Sequence, residues 1–100
     1  MQNQDAGAEI LLKAHELITR DRQNTYSHPL EDYSRTVAIF NALKGTNAMT
    51  AEDGILFMIC VKLSRLMNEM QNGLDVPDNV VDLAGYVGCL QMVREARIPL

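Results

Sequence analysis

Residues 50–73 read TAEDGILFMICVKLSRLMNEMQNG, and the fold turns on them. Thr50 followed three residues later by Asp53 is a capping-box-like helix start, with Asp53 a shorter substitute for the usual Glu. The pattern predicts a helix from Ala51 to about Asn72, stopped at Gly73. It is apolar nearly all round between Ile55 and Met67, which predicts the central helix of the domain. The run from Ile55 to Val61 is too short to span a bilayer and is flanked by charge.

Outward from this helix, both flanks also read as helical. On the N-terminal side, Pro29 opens a helix with Glu31 and Asp32 in its first turn, where the macrodipole favours acids. Its apolar stripe is Leu30, Tyr33, Val37 and Phe40, and Gly45 ends it. Before it, Ile10, Leu11, Ala14, Leu17 and Ile18 mark a first helix from Gly7 to about Arg20. On the C-terminal side, Pro77 or Asp78 starts a helix through about Arg94, apolar at Val80, Val81, Leu83, Ala84, Val87, Leu90 and Val93. Gly85 and Gly88 weaken it locally, at a cost repaid if another backbone approaches closely there. Four helices joined by short loops predict an all-α, up-and-down four-helix bundle. The domain is expected over residues 7–97, with residues 1–6 disordered and 98–100 a tail.

The totals agree with that class. The chain has 100 residues, enough for one domain; 47% are apolar and only 5% aromatic, so the core is aliphatic, with six Met filling gaps. A formal net charge of −4 argues against tracking duplex nucleic acid, although a local basic patch facing a small anion is compatible with it. Cys60 and Cys89 both lie in apolar helical segments and are expected as reduced core thiols. With a polar MQNQDAG start lacking a signal-peptide pattern, this predicts a cytoplasmic protein without membrane association.

Three sets of polar residues break the amphipathic pattern. Lys62 and Arg65 lie one turn apart on the central helix, and Asp82 interrupts the apolar fourth helix. The connector RQNTYSHPLEDYSR (22–35) crowds Arg22, Tyr26, His28, Asp32 and Arg35 together. The simplest account of Lys62 and Asp82 is an ion pair between adjacent helices, because a buried charge must be paired. The functional account places that pair at the border of a cleft, with Asp82 orienting Lys62 and Arg65 toward a ligand phosphate, or itself binding a metal. Arg65 suits bidentate phosphate contact better than Lys62. Tyr86, one turn beyond Asp82, can stack on a base or sugar or serve the core. His28, just before Pro29, fits a capping role more readily than a catalytic one. There is no zinc spacing, no phosphate-binding glycine loop after a strand and no nucleophile elbow.

RQNTYSHPLEDYSRTVAIFNAL, TAEDGILFMICVKLSRLMN and VVDLAGYVGCLQM together resemble a group of small phage and prophage proteins. That group carries R-x-x-x-Y-G-x-P, K-x-x-R-L and D-x-A-G-Y segments, and the resemblance spans about residues 20–93. The group is in turn similar, more weakly, to the all-α nucleotide pyrophosphatases (MazG and the dimeric dUTPases). The resemblance implies a MazG-like bundle that forms a homodimer or higher oligomer around nucleotide sites. In those enzymes E-x-x-E and E-x-x-D pairs hold Mg²⁺ against the substrate phosphates. Here Asp82 matches the last acid of the second pair, but Asn79 takes its first position. Lys62 and Arg65 stand where carboxylates would be needed, and Ser27 replaces the usual Gly after Tyr26.

The expectation is a phage or prophage protein that binds or sequesters a nucleotide, cyclic nucleotide or nucleotide-derived signal, and so can counter host defence in the host cytoplasm. Hydrolysis, a metal and a cofactor are not expected. The ligand residues would be Arg22, Tyr26, His28, Arg35, Lys62, Arg65, Asp82 and Tyr86. Two alternatives draw largely on other residues. A Mg²⁺-dependent pyrophosphohydrolase would gather Glu31, Asp32, Glu52, Asp53, Asp78 and Asp82 across subunits. A non-enzymatic inhibitor of a host protein would use the acidic surface. The same sequence predicts self-association, since a nearly all-apolar helix and the small-residue stretch AGYVG (84–88) leave surface to cover.

Overall fold

The computed structural model describes residues 5–21 and 28–96. It contains α1 (Asp5–Glu16), running directly into a π-helical turn (Leu17–Asp21), then α2 (Pro29–Lys44), α3 (Ala51–Gln71) and α4 (Pro77–Ala96). Among the described residues there is no strand, and the all-α expectation holds. α1 begins at Asp5, two residues before the Gly7 read as its start; Arg22, Tyr26 and the tail 98–100 lie outside the described residues.

The helix ends follow the local chemistry of the sequence. His28 is the N-cap of α2, with Pro29 in the first helical position, and its Nδ1 accepts the Leu30 N–H at 3.0 Å. Gly45 closes α2 in the left-handed region at φ 68°, where a side chain would be strained. The Thr50 hydroxyl accepts the Asp53 N–H at 3.2 Å, and the Asp53 carboxylate accepts the Thr50 N–H at 2.9 Å, a complete capping box. That backbone N–H, followed by the Thr50 hydroxyl, holds the Asp53 carboxyl below its ordinary pKa. At the other end of α3, Gly73 takes φ 64° and Leu74 N–H returns to the Glu69 carbonyl at 2.9 Å.

The loop between α2 and α3 is fastened by one side chain. Asn41 donates through Nδ2 to the Met49 carbonyl at 2.9 Å and accepts the Met49 N–H through Oδ1 at 3.2 Å. This fixes how α2 and α3 meet: Gly54 of α3 sits where a Cβ would lie 2.9 Å from Val37 Cγ1 and 3.3 Å from Tyr33 Cδ1. The core cluster is Tyr33 of α2, Ala51 and Ile55 of α3, and Cys89 and Val93 of α4, with Ile18, Leu30, Met58, Ile59, Tyr86 and Leu90 packed around it.

The central helix is α4, not α3. α4 packs against α1, α2 and α3. Small residues make this possible. A Cβ on Gly88 would lie 2.9 Å from Ile18 Cδ1, and one on Gly85 would lie 3.5 Å from Ile18 Cγ2 and 3.6 Å from Leu17 Cδ2. The close approach expected at these glycines is therefore made by side chains of the π-helical turn rather than by a backbone. That turn begins where the Thr19 hydroxyl donates to the His15 carbonyl at 2.7 Å, a local bond that competes with the regular helical ladder. α3, by contrast, buries only Ala51, Gly54, Ile55, Lys62 and Glu69 and exposes its other side. Cys60 lies on that exposed side, so only Cys89 is a core thiol; neither forms a disulfide.

Candidate functional site

α3 and α4 form an antiparallel pair, and their polar residues meet along the seam between them. Position 62 faces 82 and position 69 faces 79, so the register advances on one helix as it retreats on the other. Lys62 Nζ donates to Asp82 Oδ2 at 2.8 Å. Two turns further along α3, Glu69 Oε1 accepts from Asn79 Nδ2 at 2.7 Å. Both α3 members are buried, Lys62 at 8% and Glu69 at 4% relative exposure. The expected inter-helix ion pair is thus present, and a second polar contact stands beside it.

Helix geometry accounts for the order. The short connection at residues 72–76 brings the last turn of α3 against the first turn of α4. Glu69 therefore reaches the N-terminal turn of α4, where unsatisfied N–H groups and the helix dipole favour a carboxylate. Lys62, seven residues earlier on the same face of α3, meets Asp82, three residues further into α4. Neither buried charge is left without a partner.

The Lys62–Asp82 pair marks the edge of the packed interior. Its lysine side chain is 11% exposed and its aspartate side chain 32%. An ammonium carries three donors, of which the Asp82 contact uses one. Arg65, one turn from Lys62, is exposed, so a cation in contact with solvent adjoins one held by the seam. Tyr86, one turn beyond Asp82, is half-buried and packs against the core cluster.

The remaining sequence-predicted ligand residues are placed elsewhere. His28 spends Nδ1 on the cap of α2. Arg35 is exposed on the side of α2 opposite the buried Tyr33 and Val37. Arg22 and Tyr26 fall outside the described residues. Among the described residues, no group of three or more His, Cys, Asp or Glu side chains converges in a way that would hold a metal ion. Asp82 is engaged by a lysine and Asn79 by a glutamate, so the one acid that matches the E-x-x-D pattern and the asparagine at its first position already have partners within the chain. Glu69 is the residue sequence reading missed. Its signal was available as the seven-residue step from Lys62, which returns to the same helix face.

The fold and seam define a small all-α domain whose polar chemistry is concentrated between its last two helices. The chain belongs to the family described as Domain of unknown function (DUF6378), whose model matches residues 9–94. It is similar to the Gene 55 protein of Mycobacterium phage L5, 35% identical over 85 residues that make up 85% of this chain and 52% of that protein. The Gene 55 protein of Mycobacterium phage D29 is 28% identical over 86 residues, 86% of this chain and 54% of that one. The chain thus spans about half the length of these curated relatives. Both relatives are phage proteins, in keeping with the resemblance to small phage and prophage proteins. No solved structure matches the chain. Among the described residues, no helix is long and apolar enough to cross a membrane.

Proposed function

We propose that the chain is a non-hydrolytic binding module for a nucleotide or nucleotide-derived signal, with the phosphate received at the Lys62–Arg65 edge of the α3–α4 seam. The observation that carries the reading is the 2.8 Å contact from Lys62 Nζ to Asp82 Oδ2. It turns the acid that would have served a Mg²⁺ site into a holder for a cation. A lysine fixed in this way keeps two donors for a phosphate oxygen, and its position does not have to be organised when ligand arrives. Arg65 would supply the planar, two-pronged donor that phosphate favours. Tyr86 would contribute through the wall it builds rather than as a free stacking platform.

In a phage setting, such a module would sense nucleotide pools or sequester a nucleotide signal used in host defence. Titration calorimetry with a panel of linear and cyclic nucleotides tests the reading. Saturable binding that is lost in Arg65→Ala supports it, and absence of heat with every member of the panel rejects it. The hydrolytic alternative is separated by pyrophosphate release from nucleoside triphosphates with Mg²⁺ or Mn²⁺: release abolished by Asp82→Asn would favour the enzyme over the binding module.

A further inference from the structure

α3 has two faces of opposite character. Ile55, Lys62 and Glu69, spaced by seven residues, are its buried line toward the rest of the chain. About a third of a turn round the helix from it run Leu56, Cys60, Leu63, Met67 and Met70, in steps of four, three, four and three. That is the apolar spacing of a helix–helix seam of the coiled-coil kind. The row is bare. Its large side chains are exposed by between 44% (Leu63) and 73% (Met70), Phe57 stands beside it equally uncovered, and Cys60 is exposed. An open groove of about 510 Å³ runs along it, lined by Cys60, Leu63, Ser64, Met67, Asn68 and Gln71, and none of these residues is charged.

The dimensions of the molecule say how much surface is left over. The chain measures 52 × 33 × 23 Å, and its thinnest dimension is about two helix diameters. Its radius of gyration is 15.5 Å, against about 13 Å for a compact domain of this length. Its accessible surface is 7276 Å², where a folded monomer of 11.2 kDa shows about 5,700 Å². The excess is larger than the roughly 800 Å² that each partner contributes to a standard interface. Leu56, Phe57, Leu63, Met67 and Met70 alone offer on the order of 500–600 Å² of it, at the upper end of what a monomer leaves open.

We infer that this row is a self-association surface, through which α3 of one copy packs against α3 of a second copy about a twofold axis. The occupant is argued from the row itself. Its spacing fits another helix with the same spacing, and a second copy brings one; a twofold interface then matches the patch to itself. The patch is also the place where two chains of net charge −4 can meet without opposing charges of like sign, since Glu69 is turned inward to Asn79. The row contains none of Lys62, Arg65 and Asp82, so the inference stands whether or not a nucleotide binds.

Sedimentation velocity on the full chain tests it. The expected result is a dimer at tens of micromolar. Leu63→Lys with Met67→Lys should weaken dimerisation by at least ~100-fold, while Leu12→Lys on α1 leaves it unchanged. A wild-type chain that sediments as a monomer at about 100 micromolar overturns the inference, as does a charged variant that still dimerises. If the charged variant loses its helical circular dichroism, the wild-type protein still decides the question. Alkylation of Cys60 should slow by roughly 3- to 10-fold between about 1 and about 100 micromolar protein, and a rate independent of concentration overturns the inference.

Discussion

Lys62 Nζ and Asp82 Oδ2 lie 2.8 Å apart across the α3–α4 seam, the lysine nearly buried and the aspartate a third exposed. A pair at such a boundary is asymmetric in its energetics. The ammonium has left water and depends on its acceptor, whereas the carboxylate is still partly hydrated. Asp82→Ala should therefore cost about 2 kcal/mol in urea unfolding, because it strands a buried cation. Lys62→Met should cost less, and the double variant should recover part of the Asp82→Ala loss. Additive single losses would show that the two groups are not coupled.

The neighbouring contact makes the converse case. Asn79 is the donor to a carboxylate that is only 4% exposed. Asn79→Ala should cost about 1–3 kcal/mol by leaving the buried Glu69 acid without that donor. Glu69→Gln keeps an acceptor for Asn79 and removes a charge that must be desolvated, so it should be close to neutral. Equal destabilisation by both changes would contradict this assignment, and chemical denaturation of the two variants decides it.

Two glycines with the same closest approach should respond differently. At Gly54 a methyl group meets Val37 Cγ1 at 2.9 Å and Tyr33 Cδ1 at 3.3 Å, a branched side chain and a ring, both buried on α2. Gly54→Ala should lose about 1–3 kcal/mol from overpacking. At Gly88 the atom met at 2.9 Å is Cδ1 of Ile18, the far end of a side chain that can turn aside. There the gain in helix propensity of about 1 kcal/mol offsets the crowding, and Gly88→Ala should be near neutral in thermal unfolding.

Most of the helix architecture was legible in the sequence because it is written in local chemistry. Pro29 and Gly45 bound α2, Thr50 and Asp53 cap α3, and Gly73 ends it; each acts within one turn of itself. The Lys62–Asp82 pair was legible for a different reason, since two opposite charges on apolar helices have few ways to be satisfied. What was not legible was which apolar helix lies in the middle. α3 carries the longer, more continuous apolar run, yet its Leu56, Phe57, Met67 and Met70 are exposed, and α4 is surrounded because Gly85 and Gly88 let the π-helical turn that follows α1 close on it. Hydrophobicity shows that a face needs covering but not which neighbour covers it. His28 was ambiguous on the same grounds: a lone histidine before a proline reads as ligand or cap until its Nδ1 is seen to accept the Leu30 N–H.

The capping box at the start of α3 gives a pH dependence with a definite sign. Asp53 is held below its ordinary value of 3.8 by the Thr50 backbone N–H first and the Thr50 hydroxyl second. A carboxyl whose folded pKa is lowered contributes stability above its unfolded pKa and loses it as pH falls through the folded value. The melting temperature of the wild type should exceed that of Asp53→Ala by a constant margin from neutral pH down to about pH 5. That margin should shrink as the pH falls through and below the ordinary carboxylate range. A margin that does not change with acidification would remove the carboxylate from the cap.

The central claim is that the Lys62–Arg65 edge faces an anion, and a thermal-shift screen of linear and cyclic nucleotides against the wild type and Arg65→Ala tests it most directly. Ligand that binds the folded chain raises its apparent stability through linkage. The account predicts that at least one nucleotide raises the melting temperature of the wild type, without added divalent metal, and that Arg65→Ala abolishes the rise. A wild type whose melting temperature is unmoved by every nucleotide, or an Arg65→Ala variant that responds as the wild type does, would contradict it.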